Sequence, residues 1–539
     1  MMTDQGAGGG AGVGAGVGVG AARATISGHD FVGGAWVPIP GEALVSRSPA
    51  RPAQVVYSCV PVPGHVDAAV RAARRALPAW SALGREARFA VLRRYAAISK
   101  QHQQQMADLL CDEIGKVMWE CKGEASILAG KVDITLDAAP EGGLARVSDF
   151  EIKLSETRSG HCLFRPHGVV GVLGPFNFPA HLPNGHIVPA LAMGNTVVFK
   201  PSDKAPGVGE LLVRWFDRAI VEEFGVDAAR FAGVINLVQG KADVAGLLVR
   251  HEGLDAIAFT GSWPVARKIA EANLDRPGRV LAFELGGNNP AIVMPGADLK
   301  LAAIEVVRSA FNTTGQRCTC TRRLIVDEAV ADKLVPLVCK VASNLIVGDP
   351  RASHPVFMGP INSEPSRQAV LEYQRRCEGN SARVLLRSSA IDTPEGGYYI
   401  SPCVVEVPGF VISEAEDEPG ADVEVFGPLL RVKVVRGLDE ALAQAGATRY
   451  GLAASIFTPD AHAQRRFLHE VRAGCLNVNT GTAGASSKLP FGGLGLSGNH
   501  RPAGSFALDY CAYPVASMVE RSVAIAPSEG MRWEDGWLK

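Results

Sequence analysis

Between residues 168 and 283, short apolar runs alternate with segments in which apolar residues recur three and four apart. The runs 168–173, 195–199, 233–238 and 255–259 predict strands, and 180–192, 207–222, 241–250 and 264–273 predict helices. Strand and helix in strict alternation imply right-handed βαβ units, hence a parallel sheet wrapped by helices. Upstream, 31–37 reads as a hairpin-like opening, and 65–77 and 86–127 carry helical spacing. From 147 to 164 the pattern changes to alternation, with Phe150, Ile152 and Leu154 separated by charges, which predicts a polar two-stranded excursion. Residues 284–480 read as a second α/β region, with strands at 291–293, 324–326 and 475–478 and helices at 328–346, 364–377 and 459–472. The Gly-rich stretch 489–502 reads mostly as loop.

A chain of 539 residues exceeds one hydrophobic core, so two or three domains are expected. Its net charge of −1 provides no field to draw nucleic acid or an anionic membrane, and no apolar run is long enough to span a bilayer. Eleven cysteines, odd in number and scattered, suit reduced thiols and a cytoplasmic setting. Residues 6–21 are nearly pure Gly, Ala and Val, without the spacing of a phosphate loop or the plan of a secretory signal. Residues 1–26 therefore read as a disordered tail, because Gly loses much entropy on ordering.

Three contexts carry candidate chemistry. Gly315-Gln316-Arg317-Cys318-Thr319-Cys320 lies between a helix-like run, 301–311, and a strand-like one, which sets Cys318 on a loop. Phe283-Glu284-Leu285-Gly286-Gly287-Asn288-Asn289-Pro290 sets one carboxylate among small and apolar residues, and Gly174-Pro175-Phe176-Asn177-Phe178-Pro179 follows an apolar strand. Thiol, carboxylate and amide are the parts needed for covalent attack on a carbonyl. Each also has a plainer reading: Cys318 as a small buried hydrophobe, Glu284 as an ion-pair or capping residue, Asn177 as a turn residue. Cys318 and Cys320 as C-x-C suggest metal, but no Cys/His pair at zinc spacing accompanies them, so no metal is expected. Two strand ends bear on a cofactor. Phe199-Lys200-Pro201-Ser202-Asp203 ends one, and Phe259-Thr260-Gly261-Ser262 ends another and opens a helix whose amides suit a pyrophosphate. The G-x-G-x-x-G dinucleotide fingerprint is missing.

In this order, these contexts resemble the aldehyde dehydrogenase superfamily over roughly residues 30 to 525. The resemblance implies an α/β fold: a Rossmann-type parallel-sheet NAD domain (27–145 and 166–283), an α/β catalytic domain (284–499), and a small β oligomerisation excursion (146–165 with 500–525) in a homodimer or homotetramer. It implies a small-molecule aldehyde substrate, Cys318 as nucleophile, Glu284 as general base, and Asn177 with the Cys318 backbone N–H as oxyanion donors. NAD would be held by Lys200, Asp203, Gly261, Ser262, Leu285 and Gly286, with Glu424 on the ribose and Phe426 against the nicotinamide. Ala266 stands where related sequences often carry Gly.

A narrower resemblance is carried by Ser497-Gly498-Asn499-His500-Arg501-Pro502, by 509–514, by 183–191 and by 315–323. It is to a branch of the superfamily that oxidises an N-succinylated glutamate semialdehyde in arginine breakdown. Such a substrate implies a wide tunnel at Gly185 and anchors for its carboxylates, for which His181, Arg317, His500 and Arg501 are the candidates; Arg317 is also expected to favour the Cys318 thiolate. Transfer of the acyl group to coenzyme A and a catalytically idle NAD-binding protein are the competing readings. Glu284, which would activate water, argues against the first, and the three residues together argue against the second.

Overall fold

The computed structural model describes residues 26–38, 40–415 and 418–539. The expected tail lies outside these residues except for Ile26, as do two residues of the acidic run 414–424.

Five strands form the parallel body of the first sheet, in the order Val280–Glu284, Ala256–Thr260, Val169–Leu173, Thr196–Lys200 and Ile235–Leu237. Almost all of their residues are buried, which explains why they read as continuous apolar runs. The opening hairpin, Asp30–Val32 with Ala35–Val37, extends the sheet in antiparallel register. The helical run expected over 86–127 is three helices, Arg85–Gln101, Gln103–Ile114 and Met118–Thr135. Gly115 ends the second with a left-handed φ of 77°, a stop that apolar periodicity cannot register.

The second sheet also has seven strands, in the order Arg383–Leu386, Cys403–Glu406, Leu429–Val435, Thr321–Asp327, Asn289–Val293, Ala453–Phe457 and Cys475–Val478. All its pairings are parallel except the one at the Arg383–Leu386 edge. One short crossing, Leu285-Gly286-Gly287-Asn288, joins the edge strand of the first sheet to an inner strand of the second. Among the described residues, no helix is long and apolar enough to cross a membrane.

That edge strand, Val280–Glu284, is completed from far along the chain. Glu284 bridges Gly498, and the Leu285 N–H donates to the Ser497 carbonyl at 3.0 Å. The Asn499 side chain does the work of a neighbouring strand: its Oδ1 accepts from the Phe283 N–H at 2.9 Å and its Nδ2 donates to the Leu281 carbonyl at 2.7 Å. Backbone groups that an open edge would leave unpaired are thereby satisfied.

The excursion after residue 147 has three strands, where the sequence pattern suggested two. Phe150–Lys153 pairs with Arg158–Pro166, and Ala512–Glu520 lies antiparallel along the other side of Arg158–Pro166. Phe150, Ile152, Leu154 and Met518 are exposed.

Replacing Asn499 by Ala removes both side-chain bonds to the edge strand and should lower stability by about 1–3 kcal/mol. Urea unfolding of wild type and Asn499→Ala measures it; a difference within error would show that the edge does not depend on this amide.

Candidate active site

The Cys318 loop is fixed from three sides. After helix Leu299–Phe311, Thr313 and Thr314 turn the chain with φ of 54° each, and Gly315 follows at 70° against the Gly427–Pro428 backbone, where a Cβ would collide. Asn289, the first residue of its strand, donates from Nδ2 to the carbonyls of both Cys318 (2.7 Å) and Cys320 (2.8 Å), while its Oδ1 accepts from the Ala453 N–H at 3.0 Å. Arg322, fully buried, donates to the carbonyls of Gly315 (2.6 Å), Arg317 (3.1 Å) and Gly427 (2.9 Å). Asn177 ties a fourth element to the loop, its Nδ2 donating to the Gln316 carbonyl at 2.9 Å. One of its two N–H groups is therefore engaged with backbone beside the nucleophile loop.

Cys318 and Glu284 line one cavity of about 320 Å³. Cys318 is partly exposed there, whereas Cys320 is fully buried. Glu284 is 3% exposed, and among the described residues neither of its carboxyl oxygens meets a hydrogen-bond partner. Burial pushes its pKa up to about 8, with Lys131 pulling the other way. Burial also pushes the Cys318 thiol up, and the carboxylates of Glu284 and Glu424 add to the effect. Arg317 acts in the expected direction, towards the thiolate, but burial and the two carboxylates outweigh it. Its guanidinium is committed to the Glu120 carboxylate at 2.6 Å and to the Thr313 hydroxyl at 2.8 Å. Both shifts favour the neutral forms, thiol and carboxylic acid.

The expected cofactor residues gather at the carboxyl ends of the first sheet and on the facing edge of the second. Lys200, buried at the end of its strand, donates to the Pro201 carbonyl at 3.0 Å; burial lowers its pKa, opposed by Asp203, which is partly exposed nearby. Gly261 packs its Cα against the Phe259 ring, and Ser262 precedes helix Trp263–Glu271 without capping it through its side chain. The first-turn amides therefore have no side-chain cap. Leu285 is buried at the crossing. Gly286 lies so close to the Glu424 carboxylate that a Cβ would overlap it, and Glu424 Oε1 accepts from the Gly287 N–H at 3.1 Å. Burial lifts Glu424 to about 6, opposed by Arg322. Phe426 meets Phe176 edge to face with centroids 5.9 Å apart.

Of the four expected substrate anchors, two line the cavity and two do not. His181 lines the cavity, but burial lowers its pKa to about 4, so it is a neutral imidazole and not a cation; its Nδ1 is buried without a partner among the described residues. Arg317 is in the wall, with its charge already paired. His500 and Arg501 do not line the cavity; both are exposed, and Arg501 Nη1 donates to the His500 carbonyl at 3.0 Å. Gly185 does line it, and a Cβ there would meet no atom within 4 Å, so the wall is open at that point.

Sequence reading missed Glu120, Glu124 and Lys131 of helix Met118–Thr135. All three are buried and line the cavity. The available signal was their spacing, which puts them on one helix face. Glu124 accepts from the N–H groups of Ala180 (3.0 Å) and His181 (3.1 Å) and pairs with buried Lys116. It thereby seats the start of helix His181–Ala192 beside the cavity.

A thiol and an unpaired carboxyl in one cavity, flanked by two α/β sheets, are the features of an acyl-enzyme oxidoreductase, and comparison with known proteins agrees. The profile of the aldehyde dehydrogenase family matches residues 40–514, and this chain belongs to that family. The N-succinylglutamate 5-semialdehyde dehydrogenase of Caulobacter sp. (strain K31) is 41% identical over 499 residues, 92% of this chain and 98% of the relative. Among solved structures, an indole-3-acetaldehyde dehydrogenase complexed with NAD+ superposes with a TM-score of 0.83 at 26% identity, covering 92% of this chain and 97% of its own. A 3,6-anhydro-L-galactose dehydrogenase in complex with NAP gives 0.82 at 27%, covering 91% and 99%.

A carboxyl whose pKa is raised in the folded state favours folding below its unfolded value, and that contribution is lost as pH rises through the folded value. Glu284 therefore weakens the fold progressively from about pH 4.5 to about pH 8. Glu284→Gln should be more stable than wild type at pH 8 by about 4 kcal/mol, with the gap reduced to about 1 kcal/mol at pH 5. Chemical denaturation at the two pH values tests this; a gap independent of pH would contradict the raised pKa.

Proposed function

We propose that this protein oxidises N-succinyl-L-glutamate 5-semialdehyde to N-succinyl-L-glutamate with NAD as acceptor, as a step of arginine breakdown. For the chemistry, the carrying observation is that Cys318 and the unpartnered Glu284 face one cavity, open at Gly185. For the substrate, support comes from a relative of that name at 41% identity over nearly its whole length.

Cys318 gives up its thiol proton, to ionised Glu284 or through it to solvent, and the thiolate Sγ adds to the aldehyde carbon; the developing oxyanion accepts hydrogen bonds from the Cys318 N–H and the free N–H of the Asn177 amide. NAD, when bound, supplies the hydride acceptor for the oxidation. The acyl group is then a thioester on Cys318. Glu284, once ionised, takes a proton from water as the water oxygen attacks the thioester carbon; the C–S bond breaks, and the carboxylate product leaves. The dry surroundings that hold Glu284 near pH 8 make it a stronger base than an exposed carboxylate.

The cofactor-facing residues fit a dinucleotide: a buried Lys200 with donors to spare, helix amides without a side-chain cap after Gly261-Ser262, and the close approach of Gly286 to Glu424. Leu285 and Phe426 would provide apolar contact, and Glu424 would take the ribose hydroxyls. Asp203 would accept from the adenine ribose and repel a 2′-phosphate. Residues 27–145 with 166–283 form the cofactor-binding domain of this reading, and 284–499 the catalytic one. Residues 146–165 and 500–525 pair subunits in a homodimer or homotetramer, for which the exposed Phe150, Ile152, Leu154 and Met518 argue. Eleven free cysteines suit a cytoplasmic enzyme.

The decisive assay compares kcat/KM for the succinylated semialdehyde with that for propanal. A preference of about 100-fold or more is expected; equal values would remove the substrate assignment and leave the family. In the same assay Cys318→Ala should abolish NADH formation while Cys320→Ala retains substantial activity, and the reverse would relocate the nucleophile.

Cofactor choice has its own test. Wild type should prefer NAD to NADP, and Asp203→Ala should narrow the ratio of kcat/KM by about tenfold or more. A wild-type preference for NADP would overturn the role given to Asp203.

A further inference from the structure

Lys131 stands out among the cations of the cavity wall. It is 2% exposed, and its ammonium donates to the Gly504 carbonyl at 2.5 Å. An ammonium has three donors, so two remain for something else. The nearby cations are each matched with an acid: Lys116 with Glu124, and Arg317 with Glu120. Lys131 has no such match; among the described residues no carboxylate lies within ion-pair distance of it. Glu284 shares its cavity and its field, but with a pKa of about 8 it is uncharged in the resting site at neutral pH. A buried ammonium with one carbonyl partner is costly, and that cost is relieved by an anion entering the cavity. Lys131 lines the same cavity as Cys318 and Glu284, so an anion it holds shares the volume in which the thiol reacts.

We infer that Lys131 binds the α-carboxylate of the substrate, the carboxylate at the far end of the five-carbon semialdehyde chain and the nearer of the two to the aldehyde. The inference rests on the reading that this chain oxidises a carboxylated semialdehyde. His181, whose unpartnered Nδ1 is buried in the same wall, is a neutral neighbour and does not compete for the anion. Lys131 was not among the anchors expected from the sequence, and unlike Arg501 it lines the cavity.

The test uses 5-oxopentanoate, which carries the same carboxylate at the same chain distance without the succinyl arm, and its methyl ester. The readout is the ratio of kcat/KM for acid over ester in the full-length enzyme with NAD. Wild type should prefer the acid by about 10–100-fold, the range for a buried charge-assisted hydrogen bond. In Lys131→Met the ratio should fall to within about threefold of one, whatever the absolute rates, and Lys131→Arg should restore most of it. A merely structural role would lower both substrates together and leave the ratio alone. A wild type indifferent to esterification, or an acid preference that survives in Lys131→Met, would overturn the inference. Lys131→Gln replaces the Met variant if the latter does not fold. Poor use of the succinylated semialdehyde by an enzyme that keeps this ratio would count against the proposed substrate and not against Lys131.

Discussion

Asn289 Nδ2 holds the carbonyls of Cys318 and Cys320 at once, and its Oδ1 holds the backbone of the neighbouring strand at Ala453. This buried amide takes up two carbonyls beside the thiol, which the loop around it has no regular secondary structure to pair. The same solution is repeated outward. Arg322, Arg323 and Arg431 are all but completely buried, and they spend their donors chiefly on carbonyls of the loops around the site: Gly315, Arg317 and Gly427 for the first, Asn288 and Ala445 for the second, Ala421 and Val423 for the third. Irregular backbone is costly to bury unless each polar group finds a partner, and here side chains supply those partners.

The rigid, dry setting has an electrostatic consequence. Burial is the largest influence on Cys318 and on Glu284, and it raises both, favouring the neutral form of each. What changes their state is a new charge in the cavity. Lys131 belongs to the same balance: its pKa is lowered to about 8 by burial and held up in part by Glu284. Three groups that titrate in one small volume make reactivity a property of the occupied site.

The parallel sheets were legible because doubly covered strands are continuously apolar, as in Val169–Leu173 and Ala256–Thr260. Cys318, Glu284 and Asn177 were legible because small and aromatic residues around a lone polar group are rare in sequence, and the structure brings the first two to one cavity and the third to the backbone beside them. The substrate wall was not. Buried charges on Met118–Thr135 look in sequence like solvated ones, since the pattern gives their face but not what covers it. Asn499 falls between: the motif around it was recognised, but its use as a substitute for a strand is a three-dimensional fact.

That substitution bears on how the protein is made. The strand ending in Glu284 is translated more than two hundred residues before Ser497 and Asn499, the groups that close its edge. A chain emerging from the ribosome therefore carries its first sheet with one side open while those two hundred residues are made, and open strand edges are where nascent chains join wrong partners. Arg158–Pro166 waits longer still, for Ala512–Glu520. Contacts of such long sequence separation form slowly. The final tenth of the chain is thus the step that converts a vulnerable folding intermediate into a sealed one, and premature termination within it would leave nearly the whole hydrophobic core built around an unguarded edge.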